Sequence, residues 1–527
     1  MGIYKEIAIQ QVQSIEVIKR YFEMHVDREK LENYRLPVND PETTVVVGMS
    51  GGADSTILAL FVAAYLEPYY SNIRYVFTDT GAEPESCAET LDKVESLINQ
   101  HIERLQPEYT LFELIDKYNG FLPSGQARYC TKSLKIEPLK KFMSTLPGKH
   151  GFISLAGIRF DEADRDGITF QYSMEAGSRA AFPFVDLGIT KTMVFDVLDR
   201  SIGIPSTYKY RSRSGCYCCF FQKASEIIPM LENAPQNYAR TESYEKLTDT
   251  DHQRWDAIPQ TLAEAGFPAA YPVPAFIDLR KSQKVPENQP FKAKQNKVDA
   301  QDDLFGFEAS DEAVYDDLFI AFALYSDERL TQFGKGREFT PATYWQELIT
   351  LSTSLTGIRN ALNNHYSFKR TTPQPHYDVD DMQIVIAQIR FPAGTVDAAA
   401  PSPDSYTWKS QTAYKQLRHL VRHCQVVLQK ADLLRRYEDA VSIQANSEDA
   451  LALMDASEQA EDLCKMIVTL PEVSGELVWE GLFTPSLKTQ KQVQLQLDGV
   501  SVQTERKVVR EDLEHDEVPM ACLACSV

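Results

Sequence analysis

TTVVVGMSGGADS, residues 43–55, is the stretch whose reading decides the fold. A β-branched run that closes on Gly48-Met49 reads as a strand buried on both faces, because both of its alternating sides are apolar. Ser50-Gly51-Gly52 then turns the chain, and Thr56 to Leu66 reads as a helix that is apolar on most faces. Glycines between a buried strand and a helix let the backbone bend sharply and bring its N–H groups close to an anion. The helix adds its positive N-terminal end. Ser50 and Ser55 supply hydroxyl donors for phosphate oxygens, and Asp54 supplies a carboxylate that can hold Mg2+ directly or through water. Neither G-x-x-x-x-G-K-[ST] nor G-x-G-x-x-G is present, so the loop is not one of the two commonest phosphate fingerprints. A merely structural glycine turn is the competing reading.

Outward from this loop, Asn72 to Phe77 reads as a second strand, ending at Thr78-Asp79-Thr80-Gly81, and Glu83 to Asn99 as a helix. Phe152 to Ala156 reads as a further buried strand running into Gly157-Ile158-Arg159. Val194 to Ser201 reads as a helix ahead of Gly203-Ile204-Pro205. Strand, turn, helix, strand, helix in this order predicts an α/β domain with a doubly wound parallel sheet of Rossmann-like type. Residues 1–42 are expected to form a helical extension, since the opening MGIYKEIAIQQVQSIEVIKRYF has amphipathic spacing and mixed charge unlike a signal peptide.

The domain is expected to span 43–230, followed by a connecting region, 231–317, rich in Pro, Lys and Gln and then in acid. Helical periodicity over Leu318–Leu362 and Ser410–Met466 predicts a mainly α-helical domain, 318–470. The alternation VQLQLDGVSVQ around Asp498-Gly499 predicts a β-hairpin within the tail, 471–527. No repeat at solenoid period is visible. A chain of 527 residues requires more than one domain. Its formal charge of -21 argues against broad, unspecific affinity for nucleic acid, which rests on neutralising phosphates. No run reaches the ~18–20 apolar residues of a membrane span, so a cytoplasmic protein without membrane contact is expected. Its nine cysteines should then be reduced unless they hold metal.

Arg128, Lys132, Lys135, Arg159 and Arg165 gather in sequence around predicted strand ends, which a parallel sheet brings to one crevice. Guanidinium groups bind phosphate or sulfate in bidentate fashion, which makes Arg159 and Arg165 candidate oxyanion clamps. For Arg165, ion pairs with Asp161, Glu162 and Asp164 are an equal alternative. Cys216-x-x-Cys219, with Cys218 beside it and Cys130 elsewhere, has the spacing with which one turn presents two thiolates to a metal; buried free thiols are the alternative. His419 and His423, at i and i+4 next to Cys424, could bind zinc, but an ordinary helix surface is the favoured reading. Cys522 and Cys525 read as part of a disordered end.

SGGADS resembles the PP-loop of the ATP pyrophosphatases, the adenine nucleotide α-hydrolases. FTDTGAEPES (77–86) and ARYCTKSLKIEPLKKF (127–142) are similar to segments of the phosphoadenosine phosphosulfate reductase branch. So are AGIRFDEADRDG (156–167) and FPFVDLGITKTMVFDVL (182–198), although Leu187 stands where that branch has tryptophan. The resemblance covers about residues 43 to 225. It implies ATP and Mg2+ as ligands, with Ser50, Gly51, Gly52, Asp54, Ser55, Asp79, Gly157 and Arg128 at the nucleotide and Asp54, Lys135, Arg159 and Arg165 in catalysis. It also implies a [4Fe-4S] cluster, or Zn2+, on Cys130, Cys216, Cys218 and Cys219, as in the ATPase of DNA phosphorothioation. Such relatives carry a further cysteine past the CxxC, and Glu226 to Pro229 offers none. The implied activity is adenylation of an oxygen on a nucleic acid or small substrate with release of pyrophosphate. Sulfur from a partner cysteine desulfurase would then displace AMP, within a multi-protein, phage-defence system. A sulfonucleotide reductase is the runner-up, although the E-C-G-x-H tail of those enzymes is missing. A nucleotide-sensing scaffold without turnover is the third reading.

Overall fold

The computed structural model describes residues 14–38, 40–125, 127–146, 151–162, 178–212, 214–247, 315–326, 344–372, 383–393, 396, 408, 413–470 and 474–498. They divide into two compact units. One comprises 1–221, 367–376 and 487–527, and the other comprises 222–366 and 377–486.

The first unit is built on five parallel strands: β1 (Thr44–Met49), β2 (Ile73–Thr78), β3 (Ile102–Leu105), β4 (Phe152–Leu155) and β5 (Ser178–Ala181). Their order is β3-β2-β1-β4-β5, so the doubly wound α/β expectation holds. The winding reverses between β1 and β4, and at such a switch point the loops leaving neighbouring strands separate and open a crevice. The loop after β1 is SGGADS and the loop after β4 is Gly157-Ile158-Arg159, so both candidate segments flank that crevice.

Period-two alternation divides the sheet's sides. Val45, Val47 and Met49 join Tyr75, Phe77, Ile153 and Leu155 in the main core. Each such fully buried side chain contributes roughly 1.5–3 kcal/mol. The helix Ala53–Phe61, continued by a π-helical turn Val62–Leu66, packs on this core with the helices Glu85–Ile98 and Lys191–Ser201. In the N-terminal helix Ile15–Glu23, Ile18 and Phe22 are buried at i and i+4, and Phe22 meets Phe61 and Tyr65 edge-on. The alternate positions Val46, Gly48, Val76 and Ser154 face the other way and line a cleft.

The second unit contains a four-stranded antiparallel sheet in the order β7-β6-β8-β9: β6 (Tyr315–Ser326), β7 (Tyr344–Ser352), β8 (Gln383–Pro392) and β9 (Glu476–Leu482). Helices Tyr414–Asn446 and Ala450–Thr469 account for the helical character expected there. The carboxylate of Glu245 accepts the backbone N–H groups of Tyr414 (2.8 Å) and Lys415 (3.1 Å) at the start of the first of these. That satisfies donors a helix leaves open, next to its positive end.

Two expectations are corrected. Leu318–Leu362 is not helical throughout: β6 and β7 occupy much of it, and a helix starts only at Leu355. Both faces of β6 are buried, with Phe319, Ala321 and Ala323 on one side and Leu318, Ile320 and Phe322 on the other. A continuous apolar run results, without the strand's usual alternation. The hairpin expected around Asp498-Gly499 is not formed by its first half, because Leu487–Leu497 is a helix with Thr489 and Val493 buried at i and i+4. Its second half, residues 248–314 of the connecting region 231–317, Arg165, Cys522 and Cys525 lie outside the described residues.

Candidate nucleotide site

The SGGADS loop is held in shape by its own serines. Ser55 Oγ receives the Ser50 N–H (3.1 Å), lies 2.8 Å from Ser50 Oγ and donates to the Gly52 carbonyl (3.2 Å). Ser50 Oγ in turn accepts the Gly52 N–H (3.2 Å). Both hydroxyls, expected to meet phosphate, therefore tie the two ends of the loop together. Gly51 has φ +67°, a left-handed conformation that favours glycine. A Cβ there would stand 2.5 Å from Cys87 Sγ and 3.0 Å from Cys87 Cα. Cys87 was not singled out in the sequence; its thiol donates to the Ser50 carbonyl (3.3 Å) and underpins the loop. The Ala53 N–H donates to Tyr208 Oη (2.8 Å), a second unpredicted support.

Asp54 opens the following helix and meets Arg159 from the loop after β4. Arg159 Nη1 donates to both Asp54 oxygens, at 2.7 and 2.6 Å. The same guanidinium reaches Asp161 (3.3 Å) and Glu162 (2.7 Å). Burial pushes the Asp54 carboxyl above its ordinary value, and Arg159 opposes that push. Burial weighs against the Arg159 charge, but Asp54, Glu162 and Asp161 outweigh it and raise its pKa. The place expected for Mg2+ at Asp54 is thus taken by a guanidinium. Arg159, expected as an oxyanion clamp, spends its donors on three carboxylates. Gly157 makes this meeting possible: a Cβ there would fall 2.7 Å from the Asp54 carbonyl oxygen.

Lys191, absent from the sequence-based set, stands beside this group. Its backbone N–H donates to Asp161 (3.0 Å), and its ammonium lies over the rings of Phe368 (4.7 Å) and Phe195 (5.7 Å), 3.4 Å from Thr371 Oγ1. Burial and the neighbouring Arg159 charge push its pKa down to about 8, against the pull of Asp161 and Asp54. No carboxylate lies within ion-pair distance of Nζ among the described residues.

The cleft at the ends of β1, β2 and β4 encloses about 650 Å³ of space open to solvent. Gly48 removes a side chain from its floor, and Glu83, Lys135, Leu139 and Gly215 complete its wall. Lys135 is therefore where the sequence placed it, at the crevice. Glu83 accepts from Thr80 Oγ1 (2.6 Å), Thr80 N–H (3.1 Å) and Ala82 N–H (3.2 Å). Asp79 accepts the Gly81 N–H (2.8 Å), so it fixes the turn after β2. Arg128 lies with its guanidinium 5.3 Å from the Phe221 ring centre and is not among the cleft residues.

The cysteines come together in part. Cys216 Sγ lies 3.3 Å from Thr80 Oγ1, and the Cys216 thiol is pushed up to about 12 by burial, then by Glu83. Burial and Cys219 push Cys130 up to about 11, and burial raises Cys218 with its thiol neighbours adding to the shift. The four thiols are close enough to affect one another's ionisation. They do not fit an iron–sulfur or zinc site as arranged: among the described residues no group of three or more His, Cys, Asp and Glu side chains is placed to hold a metal ion. His419 is buried rather than on a surface, and burial with His419 nearby pushes His423 down to about 4. Among the described residues no helix is long and apolar enough to cross a membrane.

Residues 44–195 match the model of the phosphoadenosine phosphosulfate reductase domain. That match covers less than a third of the chain and lies within the first unit. The match ends before Cys216, so the Cys216–Cys219 cluster lies outside it. An uncharacterized protein of Methanocaldococcus jannaschii is 33% identical over 203 residues, 38% of this chain and 41% of that one. Adenosine 5'-phosphosulfate reductase 2 of Bacillus subtilis is 32% identical over 120 residues, 23% of this chain and 47% of that one. The chain thus spans less than half the length of either curated relative. Among solved structures, a phosphoadenylyl-sulfate reductase from Candida auris aligns with TM-score 0.26 and 12% identity, over 39% of this chain and 88% of that one. The NH3-dependent NAD synthetase of Campylobacter jejuni aligns with TM-score 0.23 and 15% identity, over 43% and 86%.

Proposed function

We propose that the reductase-type domain is an adenylyl-forming enzyme: it binds ATP and releases pyrophosphate, and the adenylate it makes on an oxygen of a nucleic acid or small substrate is displaced by sulfur. The observation that carries this reading is the meeting of the SGGADS loop with Arg159 and Lys191 at the sheet's switch point. The adenosine end of the nucleotide fits the cleft over Gly48, and its phosphates run along the loop toward the helix N-terminus. Asp54 is then a gate for charge. Mg2+ arriving with ATP neutralises phosphate charge, and Arg159 positions the Asp54 carboxylate. Lys191 is the cation best suited to receive the leaving pyrophosphate, since no carboxylate among the described residues lies within ion-pair distance of it. Lys135 approaches the cleft from the opposite wall. The sulfur donor, a cysteine desulfurase, and the phage-defence setting belong to this same reading. Pyrophosphate release in proportion to enzyme, lost in Asp54→Ala, tests it; release that survives the substitution would contradict it.

A second reading, reduction of a sulfonucleotide, is favoured by the domain match and by the similarity to a Bacillus subtilis reductase. Sulfite formed from adenylylsulfate with reduced thioredoxin, and without ATP, would support it over the first.

A further inference from the structure

Helices Tyr414–Asn446 and Ala450–Thr469 of the second unit are joined by residues 447–449 and so form an antiparallel hairpin. Its seam follows a heptad pattern, with Leu433, Tyr437 and Ala440 against Ala456, Ala460 and Leu463. The alanines lie toward the turn, where small side chains let the helices approach closely. The turn itself is pinned: Ser447 Oγ accepts the Asp449 N–H (3.2 Å), and Asp449 accepts the Leu451 N–H (2.9 Å).

The seam accounts for the inward faces only. Beside the turn, Leu451 and Met454 are 69% and 71% exposed, and Val441 and Ile443 are 38% and 48% exposed. Leu451 and Met454, three apart on one helix, share the face turned away from the seam residues Ala456 and Ala460 and are mostly uncovered. Their surroundings identify what would cover them. From Tyr437 to Cys464 the chain carries eight carboxylates and no Lys or Arg; the next cation, Lys465, pairs with Glu461 and Asp462 and so leaves the six nearer the tip without a basic neighbour in this stretch. A second copy of this tip, or nucleic acid, would be repelled. A basic surface with an apolar centre would be attracted.

We propose that this hairpin tip docks a basic, amphipathic segment of a partner protein. Leu451 and Met454 insert into the partner's apolar face, methionine adapting to its shape. Lys and Arg side chains around that face meet Glu448, Asp455 and Glu458 at the rim. The inference is independent of the chemistry assigned to the first unit.

The test uses the full chain and a fluorescent helical peptide of leucine and lysine with one apolar face, compared with a scrambled peptide of equal composition. Anisotropy should show saturable binding of the amphipathic peptide at one per chain. It should be roughly tenfold weaker for Leu451→Ser/Met454→Ser and for Glu448→Lys/Asp455→Lys. Raising salt from about 50 to about 500 mM should weaken it, as expected for rim charges. Circular dichroism of each variant should match the parent chain. Equal binding by both peptides, or binding indifferent to both double variants, would overturn the proposal. Sedimentation showing a dimer dissolved by the tip substitutions would assign the patch to a second copy instead, and retention on neutral phosphatidylcholine vesicles would assign it to lipid. Either result would also overturn it.

Discussion

Gly157→Ala is a small perturbation aimed at the junction of the two loops. The backbone there does not occupy the left-handed region, so alanine brings no conformational strain and the effect is purely one of space. Its Cβ would lie 2.7 Å from the Asp54 carbonyl oxygen, 2.8 Å from the carbonyl carbon and 3.2 Å from Asp54 Cβ. Ordinary contact begins near 3.4 Å, so the loop after β4 must retreat from the SGGADS loop by about 0.7 Å or more. The obstructing atoms are backbone and cannot swing aside. Arg159, two residues on, holds Asp54 at 2.6–2.7 Å. A retreat of that size takes the pair to the edge of hydrogen-bonding distance. Overpacking of this kind costs about 1–3 kcal/mol. Expressed in affinity, the lower end of that range is about fivefold at 1.4 kcal/mol per decade. Calorimetric titration with a non-hydrolysable ATP analogue should therefore show binding weaker by about fivefold or more, with circular dichroism preserved. Binding within a factor of two of the parent chain would refute the claim that the two loops must touch for the site to form.

Other consequences follow from the same group. Asp54→Ala should abolish turnover while shifting the melting temperature little, because Arg159 keeps Asp161 and Glu162. Arg159→Leu should cost about 3 kcal/mol by urea unfolding, since it leaves three carboxylates facing one another. Lys191 must be charged to hold an anion, and its pKa is depressed to about 8. Pyrophosphate affinity should accordingly be full below pH 8 and fall as pH rises through it. Lys191→Met should remove this dependence, and Lys191→Arg should restore binding and keep it constant to higher pH. An unchanged profile in Lys191→Met would exclude the lysine from the site. With their pKa values pushed to about 11 and 12, Cys130 and Cys216 should be alkylated by iodoacetamide at pH 8 far more slowly than exposed Cys464. Peptide mapping that found Cys216 labelled as fast as Cys464 would contradict the burial assigned to it.

The first unit was legible because its signals are local. Thr43–Met49 is β-branched and ends in a glycine turn, and a strand in that setting has few competing readings. Arg159 was legible as a residue but not in its role, because Asp161 and Glu162 come from its own turn while Asp54, the partner that ties it to the loop, lies 105 positions earlier. Lys191 and Cys87 passed unnoticed for a related reason. A lysine ahead of an apolar helix and a cysteine within one have ordinary local explanations, and only the fold brings them to the loop. In the second unit, β6 misled because a strand buried on both faces has no period to read. Leu487–Leu497 misled in the opposite way. Its alternating Val493, Leu495 and Leu497 suggest a strand, yet only Val493 of the three is buried, and the Lys, Gln and Leu composition favours helix.

The most direct test of the central claim is to identify the products formed from ATP labelled at the α and γ phosphates. The account predicts AMP, or an adenylated acceptor, together with pyrophosphate, and loss of both in Asp54→Ala. Formation of ADP and inorganic phosphate, or tight binding of ATP with no cleavage in the presence of acceptor and sulfur donor, would contradict it.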